Sequence, residues 1–133
     1  MSPHPIVAAI AGLLLAAPGT PLPAPKVWAN PSNSVHIRSH PCGEQAMCGT
    51  VVWASDKAKA DAARGGTKTL VGTQLFRNFR LIRPGVWKGK VFVPDINKTF
   101  SGTVTLLGTD KLVGKGCLAL GIGCKSQTWT RIE

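Results

Sequence analysis

The chain has 133 residues, which is enough for one domain with its own hydrophobic core and leaves little room for a second. Hydrophobic residues make up 44% of it, which excludes wholesale disorder, and the 15 glycines and 10 prolines favour short strands joined by turns over a helical bundle. A formal net charge of +10 suits anionic partners, but the cations are scattered without a long run, which is more typical of a solvated surface than of a basic tail.

The N-terminal residues are predicted to be a signal peptide. The segment from Ile6 to Ala17 is uncharged, has the length of a secretory hydrophobic region and is too short to span a bilayer. Prolines and small residues follow it and would end any helix. We therefore expect residues 1–24 to be a signal peptide with a flexible exit, and residues 25–133 to form one domain that is periplasmic or secreted. A buried N-terminal helix is the alternative.

The cysteines favour the same oxidising compartment. Their number is even, as is usual for disulfides in a small exported chain. They lie in two compact segments: Cys42 and Cys48 bound one, and Cys117 and Cys124 bound the other. This favours the pairings Cys42–Cys48 and Cys117–Cys124 over the two other sets. A zinc site is the competing interpretation, but neither segment has zinc-knuckle spacing, so we expect no metal.

Strand signals follow one another along the mature chain. Apolar residues alternate with polar ones, or form short β-branched runs, and turn residues separate these segments. The predicted strands cover Val35–Arg38, Thr50–Trp53, Thr73–Ile82, Val86–Val93, Thr99–Leu107, Lys111–Leu118 and Lys125–Ile132. The alanine-rich segment Ser55–Arg64 instead predicts one short surface helix, capped by Ser55 or Asp56.

Short connections between these strands predict an all-β antiparallel meander. About seven or eight strands in a chain of this length favour a small closed barrel or a sandwich. Closure would remove exposed strand edges, which are prone to pair with other chains.

Several segments resemble one bacterial family, catalogued as domain of unknown function 2147. They are Trp28–Pro31, Cys48–Trp53, Trp87–Asp95 and Gly116–Arg131, and the likeness covers most of the mature chain. Many relatives carry an Asp-x-x-Asn-Pro segment, of which this chain keeps Asp61 and lacks the Asn-Pro. The resemblance implies an exported, lipocalin-like barrel. It implies no established activity and no catalytic residues.

Barrel closure in lipocalins suggests a role for two further residues. Lipocalins close their barrel with a tryptophan on the first strand and an arginine near the end of the last. Trp28 and Arg131 occupy the corresponding places in this chain. We therefore predict that Trp28 packs beneath Arg131 in a cation–π contact.

No constellation in the sequence predicts catalysis. The mature chain contains only His36 and His40 as histidines, and it has no nucleophile elbow, no zinc-protease motif and no phosphate loop. We therefore expect neither an enzyme nor a cofactor. The candidate ligand-binding residues are Trp53, Trp87 and Trp129, which could line an apolar cavity, although core packing is the commoner use of such residues.

These patterns predict a binding module for a small apolar or amphipathic ligand. The alternative is an envelope interaction protein whose basic surface docks an anionic polymer, a lipid or an acidic protein partner. No clustered aromatic and basic motif predicts nucleic-acid binding, and no segment predicts a transmembrane span. The sequence leaves the oligomeric state undecided.

Overall fold

A computed structural model describes residues 21–119 and 122–133. The hydrophobic run behind the signal-peptide prediction lies outside these residues. The strands are β1 (Lys26–Ala29), β2 (Val35–Pro41), β3 (Met47–Ala54), β4 (Gln74–Arg83), β5 (Val86–Val93), β6 (Lys98–Leu107), β7 (Lys111–Ala119) and β8 (Ile122–Arg131). One helix, α1 (Asp56–Arg64), lies between β3 and β4.

The eight strands form a closed barrel in which each strand pairs antiparallel with the next one. The ring closes where β1 pairs with β8, through Trp28 opposite Arg131 and Ala29 opposite Thr130. The predicted all-β meander barrel with one short helix is therefore confirmed.

The barrel has two different ends, because connections between antiparallel neighbours alternate from one end to the other. We call one end the mouth. It carries the β1–β2, β5–β6 and β7–β8 turns together with α1. We call the other end the base, which carries the β2–β3, β4–β5 and β6–β7 connections. Both described chain ends also lie at the base, where the Val27 N–H donates to the Glu133 carbonyl (3.1 Å).

β-Bulges change which side chains point into the barrel, and one of them lies in β3. Ile37 pairs with Val51 but His36 pairs with Trp53, so Val52 is an extra residue in β3. Strict alternation would place Trp53 inside with Val51, whereas the bulge turns it outward.

A second bulge lies in β4, where Asn78 has a positive φ of 54°. As a result Phe76 and Phe79 are both buried, although they are three residues apart. The predicted alternation placed these two rings on opposite faces and is wrong at this point, because the inserted residue reverses the face.

Helix α1 is fixed at both ends to turns of the mouth. The Ser55 hydroxyl caps its start by accepting from the Ala58 N–H, and the Ser55 N–H donates to the Ser34 carbonyl (2.9 Å) in the β1–β2 turn. Just beyond its end, the Thr67 hydroxyl donates to the Pro94 carbonyl (2.9 Å) in the β5–β6 turn. The helix therefore bridges one side of the mouth.

Both predicted disulfides are confirmed. Cys42–Cys48 links β2 to β3 at the base, with 5.7 Å between the two Cα atoms. Cys117–Cys124 joins two register partners of the β7–β8 hairpin near the mouth, with 4.0 Å between the Cα atoms. Because each bridge lies within one hairpin, each closes a short loop and should stabilise the fold modestly.

Candidate functional site

The barrel interior contains two cavities that share the Phe76 side chain as a wall. The mouth cavity has a volume of about 1060 Å³ and the base cavity about 260 Å³. Phe76 comes from β4, and its ring packs edge-on against Trp129, with 5.6 Å between the ring centroids. This ring therefore lies at the boundary between the two cavities.

The deep part of the mouth cavity is apolar. Its lining includes Phe76 and Trp129, together with Leu75, Val91 and Phe100. The wall contributed by β7 carries no side chains at two inward positions, because these are Gly114 and Gly116. The Phe76 ring fills the space beside Gly114, whereas a β-carbon at Gly116 would have no neighbour closer than 3.9 Å. Gly116 therefore leaves space in the mouth cavity that a side chain would otherwise fill.

The outer part of the mouth cavity is polar on the β8 side. Lys125 and Gln127 precede Trp129 at intervals of two residues, so all three project toward the same face of the strand. Neither the Lys125 nor the Gln127 side chain makes a hydrogen bond to another residue that the structure describes. This rim therefore offers an ammonium group and an amide to a bound molecule.

Helix α1 forms part of the opposite rim, and its charged side chains there are ion-paired with one another. Asp61 accepts from Lys57 Nζ (2.8 Å) and forms an ion pair with Arg64. Hydrogen bonding and charge attraction from Lys57, followed by the nearby charge of Arg64, hold the pKa of Asp61 below its ordinary value. Unpaired donors are consequently concentrated on β8 rather than on the helix.

The base cavity is apolar and closed by the segment that precedes β1. Leu22 packs against the core, and Pro23 and Ala24 line the cavity. Trp28 lies in the same cavity, buried, and donates from its indole Nε1 to the Ser39 hydroxyl (3.1 Å). At about 260 Å³ the base cavity is smaller than the roughly 300–1000 Å³ that is typical of small-molecule sites.

The three predicted ligand-binding tryptophans do not come together. Trp129 lines the mouth cavity and Trp87 lines the base cavity. Trp53 is 44% exposed on the outer wall and packs on the His36 ring, with 4.5 Å between centroids. The bulge at Val52 is the physical reason, since it turns Trp53 away from the interior.

The two predicted closure residues meet through the backbone. Trp28 and Arg131 are register partners where β1 joins β8. The guanidinium of Arg131 donates to the Thr109 carbonyl (3.4 Å) instead of stacking on Trp28. The cation–π contact found among the described residues is a different one, with Arg77 over the Phe92 ring (4.4 Å). Closure therefore depends on strand pairing and on the burial of Trp28.

Sequence reasoning missed the residues that shape the mouth cavity most. These are Phe76, Gly114, Gly116, Lys125 and Gln127. The sequence contains a signal for Lys125 and Gln127. Alternate residues of a strand face the same side, so these two residues face inward together with Trp129. The alternate glycines of β7 are a second signal, since glycine within a strand often marks an open interior or a close approach.

Among the described residues, no helix is long and apolar enough to cross a membrane. A search of curated proteins finds no match to the sequence. A solved structure of HP1028 from Helicobacter pylori, described as belonging to the lipocalin family, is similar to this one. Its TM-score is 0.63, with 13% sequence identity and 85% of each chain covered, which supports the fold alone.

The family comparison is more specific than the structural one. The profile of a family described as uncharacterised proteins conserved in bacteria, domain of unknown function 2147, matches residues 27–131. That range runs from β1 to the last residue of β8, so it contains the complete barrel. The protein therefore belongs to this bacterial family of uncharacterised proteins.

Proposed function

We propose that this protein is an exported, non-catalytic binding module for one amphipathic small molecule. The apolar part of the ligand occupies the deep half of the mouth cavity, against Phe76 and Trp129. Its polar head accepts hydrogen bonds from Lys125 and Gln127 at the rim. A carboxylate or phosphate head fits best, because an ammonium group and an amide N–H₂ are donors.

The observation that carries this proposal is the volume of the mouth cavity combined with its lining. At about 1060 Å³ it lies at the upper end of the ~300–1000 Å³ typical of small-molecule sites. An apolar interior with a few placed polar groups is the usual composition of such sites. An elongated ligand would bury its chain in the barrel and leave its head at the solvent boundary.

A non-catalytic role is supported by the positions of the two histidines. His36 bonds to Asn33 (2.7 Å) and His40 to Thr50 (2.7 Å), and neither imidazole lines the mouth cavity or the base cavity. Export is supported by the two disulfides, which are typical of proteins in oxidising compartments.

Fluorescence quenching by a brominated straight-chain carboxylate tests this proposal. Bromine quenches an indole only at close range, so a bound chain should quench Trp129 most strongly. We expect the Trp53→Phe variant to keep the ligand-induced quenching and Trp129→Phe to lose most of it. Calorimetry on the same variants should show that binding itself persists. An equal loss of ligand-induced quenching in both variants, or no binding of the carboxylate by the unmodified protein, would contradict the proposal.

The head-group assignment has its own test. The methyl ester of the same acid has no negative charge, so it should bind the unmodified protein several-fold more weakly than the acid does. The Lys125→Gln variant should bind acid and ester with similar affinity. Lys59→Gln, which removes a charge from the exposed face of α1, is the matched control and should keep the preference for the acid. If the Lys125→Gln variant still bound the acid more tightly than the ester, the carboxylate head of the ligand would have to lie elsewhere.

A further inference from the structure

The outer wall of the barrel is free of acidic side chains. None of the eight strands contains an aspartate or a glutamate. All six acids lie in other places: the first disulfide loop (Glu44), α1 (Asp56 and Asp61), two turns (Asp95 and Asp110) and the end of the chain (Glu133). The strands, by contrast, carry twelve of the sixteen lysines and arginines: Lys26, Arg38, Arg77, Arg80, Arg83, Lys88, Lys90, Lys98, Lys111, Lys115, Lys125 and Arg131.

Register brings cations from distant parts of the sequence together on one face. Arg80 pairs with Lys88, Lys88 with Thr103, and Thr103 with Lys115, which forms one row across β4 to β7. A second row runs parallel to it. We call the outward-facing group Arg77, Arg80, Lys88, Lys90 and Lys115 the basic wall.

The second row begins with Arg77 opposite Lys90 and continues with Lys90 opposite Ser101. Together the rows contain two like-charge pairs that face each other directly on neighbouring strands. Neighbouring strands lie about 4.8 Å apart, and like charges at directly opposite positions destabilise a sheet. An anionic partner would relieve this repulsion.

Several basic-wall side chains are held in place without being neutralised. Arg80 Nη1 donates to the Glu44 carbonyl (2.8 Å), and Arg77 Nε donates to the Gln74 carbonyl (2.9 Å). These acceptors are uncharged. Both ion pairs among the described residues involve Asp61 on α1, away from this wall. The cationic charge of the basic wall is therefore available to a partner.

We propose that the basic wall binds a linear anionic polysaccharide. The outside of a barrel is convex, so a flexible chain can follow the rows where a flat bilayer would meet only a few cations. Ser101 and Thr103 occupy register positions between the cations of the two rows. The Ser101 hydroxyl accepts from Lys90 Nζ (3.1 Å), so its own O–H can donate to a sugar oxygen. The aromatic side chain nearest the rows, Phe92, is covered by the Arg77 guanidinium, so no stacking platform for nucleic-acid bases is exposed there.

The test measures anisotropy of a labelled oligogalacturonate of defined length with the unmodified protein and two charge-reversal variants. Lys88→Glu should weaken binding roughly fivefold to tenfold at about 0.15 M salt, because it breaks a row of the basic wall. The same variant should keep or raise the melting temperature, because it replaces a like-charge pair with an opposite-charge pair. Loss of binding therefore cannot be attributed to unfolding.

Lys59→Glu on α1 is the matched control with the same change in net charge. It should alter the affinity less than twofold at about 0.15 M salt, because Lys59 lies on α1 and belongs to neither row of the basic wall. Equal weakening by both variants would show attraction to net charge alone and overturn the proposal. A neutral dextran of equal length that bound as tightly, or a DNA oligomer of equal charge that bound more tightly, would overturn it as well.

Discussion

At the scale of single residues, Phe76 organises the interior. A β-carbon added at Gly49 on β3 would lie 2.9 Å from Cδ2 of the Phe76 ring, and one added at Gly114 on β7 would lie 3.1 Å from its Cε1. The ring also meets Phe79 and Trp129 edge-on, at 5.8 Å and 5.6 Å between centroids. It thus reaches from its own strand to the opposite wall, and the space it needs explains the glycines at positions 49 and 114.

Replacing Phe76 with alanine should have two effects. It should lower the free energy of unfolding by about 3–5 kcal/mol, since a buried ring is lost and a cavity remains. It should also join the base and mouth cavities, so that the protein accepts a carboxylate with a longer chain. Urea denaturation and calorimetry with carboxylates of increasing chain length measure these effects.

Phe100→Ala is the control, because Phe100 is only half-buried and lines the mouth cavity alone. It should cost less stability and leave the preferred chain length unchanged. An equal cost for both substitutions, with no change in chain-length preference for Phe76→Ala, would disprove the role of Phe76 as a partition.

Whether a side chain faces inward or outward could be predicted from the sequence only where no β-bulge interrupts the strand. Trp129 could be marked as inward-facing from the alternation of β8, which runs without interruption. Trp53 could not, because one extra residue in β3 reverses its face, and nothing in the apolar run around it marks that insertion. The bulge in β4 has a weak sequence signal at Asn78, because asparagine tolerates the positive φ that this bulge requires.

At the scale of elements, α1 limits access to the mouth. Its C-terminal glycine, Gly65, lies directly against the backbone of the β5–β6 turn, where a β-carbon would collide with the Asp95 carbonyl group. The close approach, rather than an unusual φ, requires glycine here, because φ at Gly65 is −81°. Ala62, in the last turn of the helix, is fully buried. The helix is therefore a fixed part of the rim.

Gly65→Ala should displace α1 from the β5–β6 turn. We expect a loss of about 1–3 kcal/mol in the free energy of unfolding, as for other forced insertions into packed regions. Ligand dissociation from the mouth cavity should become faster, because one side of the rim would loosen. Denaturation curves and stopped-flow dissociation of the brominated carboxylate measure the two changes.

Gly116→Ala is the matched glycine control. A β-carbon there would meet its nearest neighbour, Val91, at an ordinary 3.9 Å. This substitution should change stability little. If Gly65→Ala changed the free energy of unfolding equally little, the helix could not be anchored as described.

At the scale of the whole molecule, the fold was predictable and the cavities were not. Period-two alternation and short turns specify neighbouring strands, so the meander follows from local pattern. That pattern left a closed barrel and a sandwich both open, and the family resemblance is what implied the barrel. The disulfide pairing followed because each pair bounds one compact segment. The cavity volumes depend on Phe76 reaching across the barrel and on α1 bridging two turns, and both are tertiary contacts between residues far apart in sequence. The basic wall is also a tertiary feature, because strand register assembles it from scattered cations.

The charge distribution predicts how stability responds to salt. Raising the salt concentration from about 0.01 M to about 0.15 M shortens the screening length from about 30 Å to about 8 Å. Repulsion among the unneutralised cations of the outer wall should weaken, so the melting temperature should rise by a few degrees. Differential scanning calorimetry measures this change. Lys88→Glu, which removes one like-charge pair, should respond less, and a melting temperature that fell with added salt would contradict this distribution of charge.

The occupancy of the mouth cavity by an amphipathic ligand is tested most directly by an NMR titration of the isotope-labelled protein with a straight-chain carboxylate. We expect the largest shifts at the Trp129 indole N–H and at the backbone amides of Gly114, Gly116 and Gln127. The Trp53 indole N–H on the outer wall should stay unchanged. Shifts confined to Trp53 and its neighbours, with Trp129 unaffected at saturation, would show that the ligand binds outside the barrel.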